Sequence, residues 1–333
     1  MKNYRFLIVR QDRIGDAVLS TSLPHEIKKN YPSSFIAVLV RDYTKDIFEH
    51  NPYVDEIITL NRKQTLLEFA REIRDHKFDY SFALLPEEFI NWGLFLAGIK
   101  TRIGVGHKFY QFITNTKSVY RRKYLDKRHE ADYCMDFLRK LSIEPDTINP
   151  EIFLTASERE RAGKIRSFFA GKRLIGINST SGNSAPNIPV EEYKALIIKL
   201  QKEHPDLQVI VTDLKVPAEI DEMKNIHYIN RNCTLREAIV NFSALDLLIS
   251  ASTGPMHIAS ALKVPTLAFF CPLPACTPDL WGPLGNKAIN IVPEEEYCRI
   301  KCPGDPKICK FIGAEKLTIE NIILEMMSIL NKL

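Results

Sequence analysis

One segment in the second half of the chain, residues 247–270, joins an apolar strand to a helix through a small polar turn. The apolar run ends at Ile249, small polar residues continue to Gly254, and Pro255 stands at a first-turn position of the helix. The backbone N–H groups at such a helix start, together with the helix dipole, favour an anion such as a phosphate. A well-capped turn without a ligand is the alternative interpretation. His257 lies in the first turn, where it can reach the same anion, and so favours the phosphate site.

Short apolar runs alternate with helical patterns along both halves of the chain. The first half predicts strands over Arg5–Val9, Phe35–Val40, Glu56–Leu60 and Tyr80–Leu84, and helices over Ala17–Lys29, Asp42–Glu49 and Lys63–Asp75. The second half predicts strands over Lys172–Ile177, Leu207–Thr212, Asp246–Ser250 and Pro265–Phe270, and helices over Val190–Glu203, Thr234–Phe242, Gly254–Leu262 and Ile319–Leu330. This alternation is typical of parallel βαβ units and predicts an α/β fold.

The Pro-containing stretch 144–150 interrupts the pattern, so we expect two domains, residues 1–155 and 156–333. Open α/β sheets bind ligands at the carboxyl ends of their strands. The expected site is therefore a cleft between two such domains.

The composition argues against several classes of protein. A net charge of +4 is too mild to indicate a nucleic-acid partner, and no apolar run approaches the about 18 residues of a membrane span. Residues 6–9 are too short for a signal peptide, so the cytoplasm is the expected location. The seven cysteines are an odd number, and Cys298, Cys302 and Cys309 form a Cys-x3-Cys-x6-Cys group that lacks a fourth ligand. Reduced structural thiols are therefore favoured over a metal site.

The first strand leads into a second candidate site at Gly15 and Asp16. Gly15 permits a tight approach of strand and helix, and Asp16 is expected at the helix N-terminus on the carboxyl edge of the sheet. An N-cap is the plainer interpretation of Asp16, and a general base is the functional one. No Gly-x-Gly-x-x-Gly follows any predicted strand, which disfavours a nicotinamide-dependent enzyme.

Two weaker patterns complete the candidates. The loop Asn178–Ser184 can present hydroxyl and N–H groups to a phosphate, although its composition also suits an ordinary loop. Residues 117–128 carry six basic residues, with Tyr120 and Tyr124 between them. An anionic saccharide or membrane surface is one partner for this run, but a solvated loop is the favoured interpretation.

In combination, several motifs resemble glycosyltransferase family 9, the heptosyltransferases. The motifs are Arg13-Ile14-Gly15-Asp16, Leu23-Pro24, Asn51-Pro52-Tyr53-Val54-Asp55-Glu56, His129-Glu130, and Ser252-Thr253-Gly254-Pro255-Met256-His257-Ile258-Ala259 followed by Ala261-Leu262. They occur in the order of the family and span nearly the whole chain. Each motif is modest by itself, and their combination is specific.

The resemblance implies a GT-B fold, in which two Rossmann-like domains with parallel sheets face a central cleft. It implies an inverting, metal-independent enzyme that uses no cofactor and takes a nucleotide diphosphate sugar, ADP-heptose in typical members, as its donor. The acceptor would be a lipopolysaccharide core or a related surface glycan, with peripheral contact at the cytoplasmic face of the inner membrane as an option. Asp16 matches the catalytic base of the family. The donor-binding positions are matched by Thr180, Ser181, Ser252, Thr253, Gly254 and His257, and the acceptor or phosphate contacts are assigned to Arg10, Arg13, Gly15 and His129.

The chain departs from the family pattern in two places. Residues 185–189 lack the lysine that would neutralise the diphosphate, and Ser252 stands where the family commonly has Asp. We hypothesise that Arg13 or Arg10 supplies the missing charge. The departures also keep open a non-catalytic relative, which would bind a nucleotide sugar or a glycan as the partner of another enzyme.

Overall fold

The computed structural model describes residues 3–122, 125, 127–169 and 171–332. The chain forms two compact units, Met1–Phe153 and Leu154–Leu333. Lys123 and Tyr124 of the basic run lie outside the described residues. No helix in the described part of the chain is long and apolar enough to cross a bilayer.

The first unit is built on one parallel sheet of six strands in the order β3-β2-β1-β4-β5-β6 among the residues described. Its strands are β1 (Arg5–Arg10), β2 (Phe35–Val40), β3 (Glu56–Thr59), β4 (Tyr80–Ala83), β5 (Thr101–Val105) and β6 (Lys117–Val119). Its helices are α1 (Ile14–Val18), α2 (Ser22–Asn30), α3 (Leu66–Asp75), α4 (Glu88–Leu96), α5 (Phe109–Ile113) and α6 (Glu130–Arg139).

The second unit repeats this plan with the strand order β12-β11-β10-β7-β8-β9, and all of its described pairings are parallel. Its strands are β7 (Arg173–Asn178), β8 (Leu207–Val211), β9 (His227–Tyr228), β10 (Leu247–Ala251), β11 (Thr266–Phe269) and β12 (Ala288–Ile291). Its helices are α7 (Ala156–Phe168), α8 (Val190–Glu203), α9 (Leu235–Phe242), α10 (Gly254–Ala261), α11 (Pro278–Trp281), α12 (Glu295–Ile300) and α13 (Ile319–Leu330).

The strands and the long amphipathic helices follow the hydrophobic pattern closely. The structure reproduces the predicted bounds of β2, α8 and α13. The apolar face of α8, formed by Tyr193, Leu196, Ile197 and Leu200, is fully buried in the core of the second unit. Burial of such a stripe against a sheet is what the 3.6-residue period predicts.

Helix bounds near hydroxyl residues were predicted less well. The single helix predicted over Ala17–Lys29 is wrong, because the Ser20 and Thr21 hydroxyls donate to the Ala17 and Val18 carbonyls and separate α1 from α2. The helix predicted from Lys63 begins at Leu66, because Thr65 forms a capping box with Glu68. The helix predicted over 42–49 is a 3-10 helix over Asp42–Ile47.

The segment that leads out of the first unit is tied to α2. The carboxylate of Glu26, which is buried, accepts hydrogen bonds from the backbone N–H groups of Asp146 (3.0 Å) and Thr147 (3.1 Å). The Thr21 hydroxyl accepts from the N–H of Glu151 at 2.8 Å. These bonds satisfy backbone groups of a segment that has no regular secondary structure.

Candidate functional site

The candidate site of the first unit begins at Arg10, the last residue of β1. Its side chain is 1% exposed, and its Nε lies 3.0 Å from Asp12 Oδ1. Its Nη2 donates to Asp16 Oδ1 at 2.9 Å and to Glu130 Oε1 at 3.3 Å. A buried guanidinium is stable only when it is paired and hydrogen-bonded, so Arg10 organises the carboxylates around it.

Asp16 is the third residue of α1, and its side chain is 18% exposed. The N-cap interpretation of Asp16 is wrong, because Arg13 occupies the N-cap position and Gly15 lies inside the first turn. The contact with Arg10 uses Oδ1 and fixes the orientation of the carboxylate. A carboxylate held in this way at the carboxyl edge of the sheet can take a proton from a bound hydroxyl group.

Glu130 links this cluster to the basic run. It is the first residue of α6 and is fully buried, and its Oε1 also accepts a hydrogen bond from Arg121 Nη1 at 2.6 Å. His129 is the N-cap of α6, where its Nδ1 accepts from the N–H of Ala131 at 3.1 Å. His129 therefore shapes the backbone that presents Glu130.

The electrostatics single out Asp12, which sequence reasoning missed. Burial would lower the pKa of Arg10, but the negative charges of Asp12, Asp16 and Glu130 raise it above its ordinary value. The pKa of Asp12 is raised to about 6, and burial is the largest cause. The positive charge of Arg10 lowers this pKa, and the negative charge of Asp16 raises it further. Among the described side chains of this cluster, three carboxylates face two guanidinium groups, which favours proton uptake by Asp12.

In the second unit, the end of β8 holds the loop that follows β7. The buried carboxylate of Asp213 accepts from the N–H and hydroxyl of Ser179, each at 2.9 Å. It also accepts from the N–H of Thr180 at 2.9 Å and from its hydroxyl at 2.6 Å. These four hydrogen bonds, which we call the Asp213 clasp, fix the loop. They also commit the hydroxyl proton of Thr180 to Asp213. The adjacent Ser181 is half-buried.

The start of α10 lies at the same edge of the sheet, because β10 pairs with β7 through Ser250 and Asn178. Thr253 is the N-cap in an extended conformation, and its hydroxyl donates to the Ala251 carbonyl at 3.3 Å rather than capping the helix. Gly254 opens the helix, which directs first-turn N–H groups away from the strand end. His257 is buried in that turn.

The hydroxyl-rich loop and the turn therefore leave from neighbouring strands of the second unit. Ser252 is half-buried, and its N–H donates to the Phe269 carbonyl of β11 at 3.2 Å. Asn187 stands in the part of the loop that lacks lysine, where its Nδ2 donates to the Ser179 carbonyl at 2.7 Å and its Oδ1 accepts from the Tyr193 hydroxyl at 2.7 Å. An exposed lysine, Lys215, follows Asp213 by two residues at the same edge.

The late cysteines belong to the apolar core of the second unit. Cys309 is buried and lies 3.6 Å from the Tyr297 hydroxyl, and Cys298 and Cys302 pack against the same core. Burial raises the pKa of Cys298 to about 11. Burial also raises the pKa of Cys309. The described residues contain no group of three His, Cys, Asp or Glu side chains placed to hold a metal ion.

Comparison with known proteins agrees with this architecture. A 25% identical protein of Haemophilus influenzae, provisionally named a glycosyltransferase, matches 97% of this chain over 95% of its own length. A family 9 glycosyltransferase structure from Veillonella parvula has a TM-score of 0.82 at 21% identity, with 99% of this chain and 98% of that chain covered. The Escherichia coli ADP-heptose lipopolysaccharide heptosyltransferase II has a TM-score of 0.75 at 19% identity, with 98% and 99% covered.

These likenesses confirm the predicted α/β fold, which is of the GT-B type with two Rossmann-like units. The family model described as glycosyltransferase family 9 (heptosyltransferase) matches residues 66–304, which is most of the chain. The predicted enzyme class is thereby confirmed as glycosyl transfer. On these grounds the chain belongs to glycosyltransferase family 9, the heptosyltransferases.

Proposed function

We propose that this enzyme transfers heptose from ADP-heptose to a sugar of a lipopolysaccharide core, with inversion at the anomeric carbon and without a metal ion. The observation that carries the proposal is the carboxylate of Asp16, which the buried Arg10 holds at the carboxyl edge of the first sheet. Family membership supports heptosyl transfer. The similarity to the Escherichia coli ADP-heptose lipopolysaccharide heptosyltransferase II supports ADP-heptose as the donor.

The chemistry assigns one role to Asp16. An acceptor hydroxyl attacks the anomeric carbon, the new glycosidic bond forms as the bond from carbon to phosphate oxygen breaks, and ADP leaves. The hydroxyl proton passes to the Asp16 carboxylate, whose Oδ1 is engaged by Arg10 while Oδ2 takes the proton. A general base of this kind contributes roughly a hundredfold to ten-thousandfold to the rate.

The second unit supplies the groups that suit a departing diphosphate. The N–H groups of Gly254 and Met256 belong to the first turn of α10, where the helix dipole favours negative charge. Arg10 is committed to carboxylates of its own unit, whereas Arg13 is exposed. Lys215 is the exposed cation nearest in sequence to the Asp213 clasp. Because Lys215 belongs to the second unit with these groups, we assign to it, rather than to Arg13 of the first unit, the charge that the missing lysine provides in the family pattern.

The test replaces the proposed base by its isostere. We expect Asp16→Asn to keep the fold and the affinity for ADP while the turnover number falls at least a hundredfold, because the amide cannot accept the proton. The matched control is Asp42→Asn, since the Asp42 side chain is 81% exposed in a surface ion pair. Calorimetry measures ADP binding, and release of ADP in the presence of a core acceptor measures turnover.

Normal turnover in Asp16→Asn would reject Asp16 as the base. ADP binding by the unmodified protein, without transfer or hydrolysis on any core acceptor, would instead favour the non-catalytic relative that the two departures from the family pattern allow.

A further inference from the structure

The short helix α5 of the first unit exposes apolar side chains on one face. Phe109 is 77% exposed, Phe112 is 84% exposed and Ile113 is 49% exposed. The spacing of these positions, i, i+3 and i+4, puts them on one side of the helix, which we call the α5 face. An apolar face on the solvent side of a helix is the reverse of the arrangement in an ordinary surface helix.

The inner side of α5 is polar and firmly held. Gln111 is buried, its Nε2 donates to the Val105 carbonyl at 3.0 Å, and its Oε1 accepts from the Lys108 N–H at 2.8 Å. Thr114 follows the helix and is also buried, and its hydroxyl accepts from Asn91 Nδ2 at 2.7 Å. These hydrogen bonds fix the orientation of α5. The α5 face is therefore exposed because the opposite side of the helix is held against the unit.

Positive charge predominates on the chain that flanks the α5 face. Lys108, Lys117 and Arg122 are exposed, and the sequence contains no Asp or Glu from Phe89 to Leu125. The acidic residues that act on α5 are Glu87 and Glu88 at the start of α4, whose charges add to burial in raising the pKa of Tyr110. Tyr120 is 60% exposed, and the guanidinium carbon of Arg122 lies 5.6 Å from the centre of its ring. Aromatic side chains with flanking lysine and arginine are the groups that anchor proteins at the interface of an anionic bilayer.

We propose that the α5 face, with Lys108, Lys117 and Arg122 around it, docks this enzyme onto an anionic lipid bilayer. The apolar side chains enter the headgroup region, and the cations attract the acidic lipids. The choice of a bilayer as the occupant rests on this charge complementarity. It also agrees with the proposed function, whose acceptor is carried on a lipid.

The docking surface stands close to the proposed base within the first unit. Helix α5 follows β5 after a three-residue loop. Since β5 is separated from β1 only by β4, the carboxyl ends of β5 and β1 lie about 10 Å apart in the sheet. Arg121, next to Tyr120, bonds to Glu130, which bonds to Arg10 of the Asp16 cluster. A lipid-linked sugar would thus meet the docking surface and the base on one edge of the sheet.

The test measures sedimentation of the full-length protein with vesicles, in the absence of donor and acceptor. We expect binding to vesicles of phosphatidylethanolamine and phosphatidylglycerol, little binding to phosphatidylcholine alone, and weakening with salt. Phe112→Ser should reduce the partition coefficient roughly tenfold. Lys108→Ala and Lys117→Ala should each reduce it roughly fivefold. Phe168→Ser is the matched control, because Phe168 is 74% exposed on α7 of the second unit and should leave binding unchanged.

Equal binding by Phe112→Ser and the unmodified protein would overturn the proposal, as would equal binding to both vesicle types. A dimer in solution that Phe112→Ser dissociates would also overturn it, because the α5 face would then bind a second copy. Transfer to a water-soluble core oligosaccharide should be the same in Phe112→Ser and the unmodified protein. Failure of that transfer in the unmodified protein would count against the proposed function and not against vesicle docking.

Discussion

At the scale of single residues, Arg10 fixes the positions and the charge environment of the carboxylates around it. Its buried guanidinium contacts Asp12, Asp16 and Glu130, and Arg121 adds a second positive charge to this cluster. Removing Arg10 would leave Asp12 and Asp16 without the cation that pairs with them, while Glu130 would keep Arg121. The geometry of Asp16 therefore depends on a residue whose own side chain is almost inaccessible to solvent.

Asp12 gives this cluster a measurable pH dependence. Its folded-state pKa, about 6, lies above the ordinary value of 3.8, so the folded chain binds more protons than the unfolded chain between those values. The free energy of unfolding should therefore fall as pH rises from about 4 to 6, by on the order of 1 to 3 kcal/mol. Asp12→Asn lacks this titration, so its stability relative to the unmodified protein should rise with pH across that window.

Urea denaturation of both proteins at several pH values measures this difference, and Asp42→Asn, at an exposed aspartate, is the control. A stability difference that does not change with pH would show that Asp12 titrates normally.

The residue scale also shows what the sequence could and could not provide. Asp16 was predicted because it follows an apolar strand and a glycine, and because its motif resembles the family. Asp12 and Asp213 were missed, because their importance comes from contacts with Arg10, Ser179 and Thr180 rather than from spacing. Aspartates beyond a strand end were the available signal, and such residues are also common in ordinary loops.

At the scale of elements, the loop after β11 contains a pair of cysteines, Cys271 and Cys276, whose pKa values are shifted in opposite directions. A hydrogen bond between the two thiols raises the pKa of Cys271 and lowers that of Cys276 to about 7. Cys276 is half-buried, whereas Cys271 is buried. Since the thiolate is the nucleophile, Cys276 should react with iodoacetamide at pH 7 before Cys298, whose pKa is raised to about 11.

Cys271→Ala removes the hydrogen bond and should slow the labelling of Cys276 on the order of tenfold. Mass spectrometry of the alkylated peptides follows the rate, and Cys302→Ala serves as the comparison. Unchanged labelling in Cys271→Ala would mean that the second thiol does not activate the first.

The elements themselves were predictable where hydrophobic burial decides them. The bounds of α8 and α13 follow from an apolar stripe on one face. The interruption between α1 and α2 was not predictable from that stripe, because the hydroxyls of Ser20 and Thr21 compete for carbonyls inside an otherwise helical pattern. The strands β5 and β6 were not assigned, since each is short and β6 spans only Lys117–Val119.

At the scale of the whole molecule, the nucleotide diphosphate of the donor should stabilise the folded chain. The size of this stabilisation should depend on which nucleobase the nucleotide carries. ADP at about a hundred times its dissociation constant should add about 2.7 kcal/mol to the free energy of unfolding and raise the melting temperature by several degrees. UDP and GDP should give smaller shifts. Lys215→Ala should reduce the ADP shift, and Lys194→Ala, at an exposed lysine on α8, should not.

Thermal-shift measurements with the three nucleotides make this comparison directly. A larger shift with UDP than with ADP would contradict ADP-heptose as the donor while leaving glycosyl transfer intact. An ADP shift that is equal in Lys215→Ala and Lys194→Ala would remove Lys215 from the diphosphate site.

The anchoring of residues 146–151 to α2 bears on how the first unit can be isolated. Glu26 is buried and finds its hydrogen bonds in the backbone of Asp146 and Thr147, so these residues complete the unit rather than merely lead away from it. A fragment that ends before Asp146 would leave the buried Glu26 carboxylate without these two backbone partners, which destabilises the unit. An expression boundary for the first unit should therefore lie after Phe153. A tag or fusion placed earlier would disrupt the segment that is hydrogen-bonded to α2.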